Sequence, residues 1–359
     1  MKIERLALRD YRNWRGLLLD PAPGVNVIYG PNGSGKTNIA EAVCLLSSGS
    51  SPRARLSLQV RHGAGEADAK AKIWSGPEDE WVLETAIKAG RLYARQDGGA
   101  WKSFSKVRPL AAVSFGPQDL LLCSSPDRRR QLLDEACSQM FAPYREEKRC
   151  FAKVLAQKSS LLKKIREEEG PSRRGLISAL EAFNCQFARL STSITEYRSR
   201  ASCRLAFAFH QAYGAFSGFE ASLSYAPSLG EALQEGGLEK ASRHLQEREA
   251  AEIAAGFPLL GPHRDDFELS LEGFPLAEVA SGGQAWMAAL SLRMAQFHIL
   301  SPLGPVLVLD DVFAQLDPEK RERILSSLQE GTQVFITSTS RGDVPRREGW
   351  HGIPVESLR

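Results

Sequence analysis

Gly30-Pro31-Asn32-Gly33-Ser34-Gly35-Lys36-Thr37 fills every fixed place of the pattern G-x-x-x-x-G-K-[ST]. Glycines at those places let a loop wrap a triphosphate, so that successive backbone N–H groups and a helix N-terminus face the anion. Lys36 is then set to reach the β and γ phosphates, and the Thr37 hydroxyl to hold Mg²⁺. A second group, Val306-Leu307-Val308-Leu309-Asp310-Asp311, is an apolar run ending in two carboxylates. Downstream of a phosphate loop, Asp310 is expected to coordinate Mg²⁺ directly or through water. Asp311 is expected to orient or deprotonate the water that attacks the γ phosphate in line. Ser281-Gly282-Gly283-Gln284 forms a third group, a serine and glycines that open a helix and expose backbone N–H groups to an anion. If the first and third groups lie far apart in one chain, a second subunit must bring the serine across to the γ phosphate. Standing alone, the third group reads as an ordinary Ser-capped helix.

These residues need a scaffold, and the flanking sequence supplies one. Residues 25–29 read as a short buried strand and residues 38–46 as a helix, the strand, loop and helix order that a phosphate cradle requires. Residues 305–309 and 333–336 are apolar, β-branched runs typical of parallel strands covered on both faces. Residues 285–300 read as the helix behind Ser281. Asp317-Pro318-Glu319-Lys320 opens another helix with a cap, a proline at the first helical position and an early acid. In the first third, residues 1–9, 70–74, 81–87 and 91–96 alternate or cluster as strands divided by turns, a meander that predicts a β-rich subdomain.

From Asp127 strand signals give way to long charged helical patterns. Leu176, Leu180, Phe183, Phe187, Leu190, Ile194, Tyr197 and Ala201 step by four and three, a heptad seam. Phe151, Val154, Lys158, Leu161 and Ile165 form a shorter seam with one polar interruption, and the breaker at residues 167–175 separates the two. The expectation is an antiparallel helical hairpin or, equally compatible with the pattern, a plain helical bundle. The domains expected are an N-terminal lobe over 1–125, a helical insert over 126–245 and a C-terminal lobe over 246–359.

The 359 residues, 43% hydrophobic and 25% charged, have the composition of a globular protein with room for a large core. The net charge of +3 means that a polyanion must be met by local basic clusters. No segment approaches the roughly 20 apolar residues of a membrane span, and residues 1–8 lack the apolar core of a secretory signal. A soluble, cytoplasmic protein is expected. The six cysteines show no C-x-x-C spacing and are read as reduced, mostly buried thiols.

Gly30 to Thr37, Gln118 after an apolar strand, Ser281 to Gln284, Asp310-Asp311 and Leu316-Asp317 follow the order of the Walker A, Q-loop, signature, Walker B and D-loop motifs. The chain in this respect resembles the ABC-type ATPases, including their SMC-like branch. Two further segments look like the signatures of the RecF recombination and repair family. One is Pro117-Gln118-Asp119-Leu120 with the SPDRRRQLLD run at residues 125–134, and the other is Gly261-Pro262-His263-Arg264-Asp265-Asp266-Phe267.

The resemblance covers essentially the whole chain. It implies an α/β fold, an ABC-type P-loop ATPase head of two lobes with an inserted α-helical domain. It further implies an ATP-dependent homodimer that binds double-stranded and gapped or junction DNA, works with RecO and RecR to help load RecA, and hydrolyses ATP slowly as a weak DNA-dependent ATPase. By resemblance, Lys36 and Thr37 hold the nucleotide, Gln118 senses Mg²⁺ and the attacking water, Ser281 with Gly283 touches the opposite γ phosphate, and Asp317 lies near the dimer seam.

Asp311 stands where ABC ATPases usually place glutamate, and Thr337-Ser338-Thr339 contains no switch histidine, so low turnover is expected. Ala285-Trp286-Met287 follows the signature where a basic residue is usual. The DNA candidates are Arg53, Arg55 and Arg61, Arg128, Arg129 and Arg130, and Lys163, Lys164, Arg173 and Arg174 on the hairpin; each cluster has a solvated-face alternative. His263 and Arg264 are set to line the nucleotide or the dimer face, or Arg264 to pair with Asp265 or Asp266. Two rival functions remain: an ABC-type subunit of another assembly, such as a transporter, and an ATPase-coupled nuclease.

Overall fold

The computed structural model describes residues 1–51, 53–313, 316–328, 330–345 and 347–358. The chain opens with the hairpin β1 (Lys2–Tyr11) and β2 (Trp14–Leu19), then β3 (Val25–Tyr29) runs through the glycine loop into α1 (Lys36–Ser48). The meander β4 (Glu66–Gly76), β5 (Asp79–Lys88), β6 (Arg91–Gln96) and β7 (Lys102–Ser103) follows, and β8 (Ala112–Phe115) ends the first stretch. Next come α2 (Pro126–Met140), α3 (Tyr144–Glu167), α4 (Ser172–Ser217), β9 (Ala221–Ala226), α5 (Gly237–Ala255), β10 (Asp266–Leu271), β11 (Phe274–Pro275) and α6 (Leu276–Val279). The chain closes with α7 (Gly282–Ile299), β12 (Val306–Asp310), α8 (Pro318–Ser326), β13 (Val334–Ser338) and β14 (His351–Pro354).

Two compact units result, one of residues 1–121, 211–220 and 280–359, the other of residues 122–210 and 221–279. The first holds an antiparallel sheet in the order β2-β1-β4-β5-β6-β7 and a parallel sheet in the order β14-β3-β13-β12-β8. In β4, Ala67, Ala69, Ala71 and Ile73 turn inward while the intervening lysines stay outside, the period-two signature of a sheet covered on one face. Every residue of β12 is buried, as a strand covered on both faces requires. Ile39, Ala42, Val43 and Leu46 of α1 share one core with residues of both sheets, among them Leu6, Ile73, Val306 and Phe335. That core fixes the helix, and with it the glycine loop, against the parallel sheet.

In the second unit α3 and α4 form the expected antiparallel pair. Leu161, Leu162 and Ile165 meet Leu180 near the turn, whereas Phe151 and Val154 share a cluster with Phe187, Leu190 and Ile194 farther along. The polar interruption of the seam, Lys158, is completely buried, with its Nζ 2.7 Å from Glu252 Oε2 of α5 and 4.4 Å above the Phe187 ring.

This pairing moves one expected boundary. Residues 246–279 belong with the helical unit because Glu252 is buried there and β10 pairs with β9 along its whole length. Strand β9 falls within the expected helical insert, and its serine-rich alternation, ASLSYA, is a weak strand signal. The cysteines also depart from expectation. Cys123 and Cys137 are buried and Cys44 and Cys150 half-buried, but Cys185 and Cys203 are exposed on the outer side of α4. Among the described residues no helix is long and apolar enough to cross a membrane.

Candidate nucleotide site

Strands β8, β12, β13 and β3 are parallel neighbours, so the residues at their C-terminal ends converge on one edge of the sheet. That edge is where open α/β sheets bind ligands. Gly33 (φ 76°) and Gly35 (φ 107°) take conformations that L side chains rarely adopt, and they close the loop over the start of α1. The β1–β2 hairpin braces it: Asn13 Nδ2 donates to Ser34 O at 3.2 Å and Trp14 Nε1 to Gly35 O at 3.2 Å. A Cβ on Gly35 would come within 2.6 Å of the Asn13 amide and 2.8 Å of the Trp14 indole nitrogen. Lys36 folds back over the loop and donates to Gly30 O at 2.7 Å and Pro31 O at 2.9 Å.

A cleft of about 200 Å³ opens there, lined by Asn32, Gly33, Gly35, Lys36, Thr37, Asn38, Arg53, Asp311, Thr337 and Thr339. Asp310 lies beneath it, buried, its Oδ1 accepting from Thr337 Oγ1 at 2.6 Å, with Thr37 as a second hydroxyl partner. Burial raises the Asp310 pKa above the usual carboxylate range in spite of those hydroxyls and the nearby charge of Arg53. Burial also lowers the Lys36 pKa, against the pull of Asp311, Asp310 and Glu356. Both groups thus sit in surroundings that penalise their charged forms, and a polyanion with a divalent cation would relieve both. Thr37 and Asp310, a hydroxyl and a carboxylate in mutual contact, are hard oxygen donors that fit Mg²⁺.

The remaining expected site residues divide. Gln118 follows β8 but is not among the residues that line the cleft; a Cβ on Gly116 would lie 3.0 Å from its Nε2 and 3.4 Å from Asp310 Cβ. Its neighbour Asp119, singled out in the sequence only as part of a RecF-like segment, is buried. It accepts from Gly116 N at 2.9 Å and from Arg293 Nε and Nη2 at 3.0 and 2.8 Å, which ties the turn after β8 to α7. Ser281 caps α7 in a capping box: its Oγ accepts from Gln284 N at 3.3 Å, and Gln284 Oε1 accepts from Ser281 N at 2.8 Å. Ser281, Gly282 and Gly283 are exposed, and none of Ser281 to Gln284 lines the cleft. Asp317 caps α8 by accepting from Lys320 N at 2.9 Å.

The comparisons with known proteins bear on this arrangement. Residues 5–73 match the family described as "AAA domain". The "DNA replication and repair protein RecF" of Bifidobacterium adolescentis is 37% identical over 100% of this chain and 92% of its own length. The chain belongs to the RecF family. The RecF protein of Heliobacterium modesticaldum is 34% identical over 94% of this chain and 92% of its own. A solved structure described as the recombination mediator protein RecF with ATP in the RecFOR pathway superposes with a TM-score of 0.86 at 30% identity, covering 96% of this chain and 93% of that one. An Smc head domain from Pyrococcus furiosus, 18% identical, shares the fold with a TM-score of 0.51 over 94% of this chain and 89% of its own.

The SPDRRRQLLD run and the Gly261 to Phe267 segment come together inside the helical unit, whereas Pro117 to Leu120 belong to the first unit. Arg198 of α4 donates to Asp134 Oδ1 at 2.8 Å, to Asp265 Oδ2 at 2.9 Å and to Pro262 O at 2.5 Å. Tyr225 OH donates to Asp265 Oδ2 at 2.5 Å and Tyr144 OH to Asp134 Oδ1 at 2.5 Å. Arg129 makes two 2.7 Å bonds to Asp266, and Arg130 pairs with Asp127 and donates to Asp265 O at 2.7 Å. Asp134 feels a burial penalty, yet Arg198 and Lys148 hold its pKa down at about 2.

Of the arginines expected on DNA, Arg129 is engaged by Asp266 and Arg130 by Asp127, and Arg128 donates to Gln131 at 3.0 Å. Arg53 lines the nucleotide cleft, and Arg61 is paired with Asp10 at 2.6 Å. Arg55, Lys163, Lys164, Arg173 and Arg174 are exposed. His263 Nε2 lies 3.2 Å from Pro258 O, its ring near Phe151 and Phe187, and Arg264 stands over Phe257 and forms no part of the Asp265 and Asp266 pairs described above.

Proposed function

We propose that this chain is an ATP-dependent DNA-binding protein of recombinational repair whose nucleotide joins two copies head to tail. The observation that carries the reading is the exposed, serine-capped start of α7, outside its own chain's cleft. The exposed backbone N–H groups of Gly282 and Gly283 suit an anion presented by another subunit. In that arrangement Ser281 and Gly283 of one copy meet the γ phosphate held by Lys36 of the other, and Asp317 lies near the seam. The ATP-bound RecF relative supports ATP as the nucleotide.

Within one cleft, the loop N–H groups and Lys36 bind the phosphates, and Lys36 exchanges its two carbonyl partners for phosphate oxygens. Thr37 and Asp310 would hold Mg²⁺, with Gln118 as a further candidate, and the ion would supply positive charge to offset that of the phosphates. Asp311, on the rim of the cleft, orients the attacking water, and hydrolysis to ADP and phosphate resets the dimer. A carboxylate one methylene shorter than glutamate and the lack of a histidine in Thr337-Ser338-Thr339 support slow turnover. DNA contacts fall to exposed groups such as Arg55 and the hairpin cations, which would meet phosphates without reading sequence. Preference for gapped or junction DNA, cooperation with RecO and RecR and help in loading RecA complete the proposal.

Sedimentation velocity with ATP, with ADP and without nucleotide, each with and without a gapped duplex, tests it. A dimer that forms with ATP alone and is retained on DNA is expected. A sedimentation coefficient independent of nucleotide would overturn the reading.

A further inference from the structure

Thr337 joins the Asp310 carboxylate to the Asp311 backbone through a single hydroxyl. Its Oγ1 accepts from Asp311 N at 3.0 Å and donates to Asp310 Oδ1 at 2.6 Å. The side chain is buried while its residue borders the cleft, and strand pairing sets it opposite Asp310 between β12 and β13. Asp311 needs such an anchor. Its φ of 56° lies in the left-handed region, where a non-glycine residue is held only by its surroundings. One of the groups holding it is the Thr337 oxygen, which fixes the peptide N–H and so the direction in which the Asp311 Cα projects. The same hydroxyl, with Thr37, orients the carboxylate of Asp310.

We propose that Thr337 is a positioning residue for ATP hydrolysis, a hydroxyl link that sets the Asp310 carboxylate and the Asp311 backbone at one fixed relation. The inference rests on reading the cleft as an ATPase site. It assigns Thr337 a task distinct from a switch side chain that reaches the phosphate: Thr337 acts through its two neighbours and contacts no reacting atom. A hydroxyl on a β-branched carbon suits both demands, because the branch restricts χ1 inside a strand and the oxygen both donates and accepts.

The test compares wild type with Thr337→Val, which keeps the shape and removes the hydroxyl, and Thr337→Ser, which keeps the hydroxyl. Without nucleotide, hydrogen exchange at the Asp311 amide should be faster by about fivefold in the Val variant, as loss of one hydrogen bond implies, and unchanged in the Ser variant. With ATP and Mg²⁺, turnover should fall by about tenfold in the Val variant and stay within about twofold in the Ser variant, while ATP affinity moves less than about threefold in both. Wild-type turnover or unchanged Asp311 exchange in the Val variant overturns the inference. So does a Ser variant as slow as the Val variant. If the Val variant folds poorly, the Ser variant decides alone, since its exchange and turnover must match wild type. A wild-type protein that neither binds nor hydrolyses ATP would instead defeat the reading of the cleft, and the exchange comparison would still report on the link.

Discussion

In the helical unit Arg198 meets Asp134, Asp265, two tyrosines and a carbonyl, and Asp134 stays ionised down to about pH 2 although it is buried. In the nucleotide cleft the shifts run the other way: burial raises the pKa of Asp310 and lowers that of Lys36, so each charge is under-compensated. The first cluster is electrostatically complete within the chain. The second would be balanced by a ligand that brings both signs. Between these two clusters, the buried charges whose neighbours lower the energy of the ionised form are structural, and the under-compensated ones sit at the candidate ligand site.

The largest effect that sharpens this comparison is expected at Arg198. Replacing it with methionine leaves Asp265 buried without its cation and Asp134 with Lys148 alone, and should destabilise the helical unit by about 3–5 kcal/mol in urea unfolding. Lys36→Ala should do the converse, lowering ATP affinity about 10- to 100-fold in a fluorescent-nucleotide titration. Its effect on unfolding free energy should stay below about 1 kcal/mol, because the cation it removes is one that burial disfavours. A Lys36→Ala protein that unfolds as readily as Arg198→Met would break the distinction.

Acid unfolding separates the two carboxylates by sign. The Asp134 pKa falls from 3.8 to about 2 on folding, so its contribution of about 2 kcal/mol is present above pH 4 and is lost as pH falls through 2. Asp310 is raised on folding, so its contribution is present below pH 3.8 and is lost as pH rises through its folded value. In the absence of nucleotide, Asp310→Asn should therefore be at least as stable as wild type at pH 7, with the gap closing in acid, while losing Mg²⁺-dependent ATP affinity. The smallest effect concerns the cap of α8: Asp317→Ala should cost about 1 kcal/mol in stability, and any larger loss of ATP-dependent dimerisation would assign Asp317 to the seam as well.

What could be read from the sequence follows from how local each constraint is. The glycine loop needs Gly33 and Gly35 within three residues of each other at angles other residues avoid, so the string alone exposes it. The capped starts of α7 and α8 are equally local. The tasks of Thr337, Asp119 and Arg198 were hidden because their partners are 27, 174 and 64 residues away and are brought near by strand register or helix packing. Lys158 looked like a flaw in a heptad seam until Glu252 was placed opposite it. The pairing of Arg129 with Asp266 is out of reach of the sequence because the two lie 137 residues apart.

The central claim is that each nucleotide lies between the glycine loop of one copy and the Ser281 helix of another. Mixing two inactive variants, Lys36→Ala and Ser281→Arg, tests it most directly, with ATP-driven dimerisation and ATP turnover as readouts. A mixed dimer pairs the intact loop of the second variant with the intact serine of the first, so the account predicts that each variant alone fails and that the mixture regains one working site. Should Ser281→Arg alone dimerise and turn over ATP like wild type, or should mixing restore nothing although each variant is folded, the shared site is contradicted.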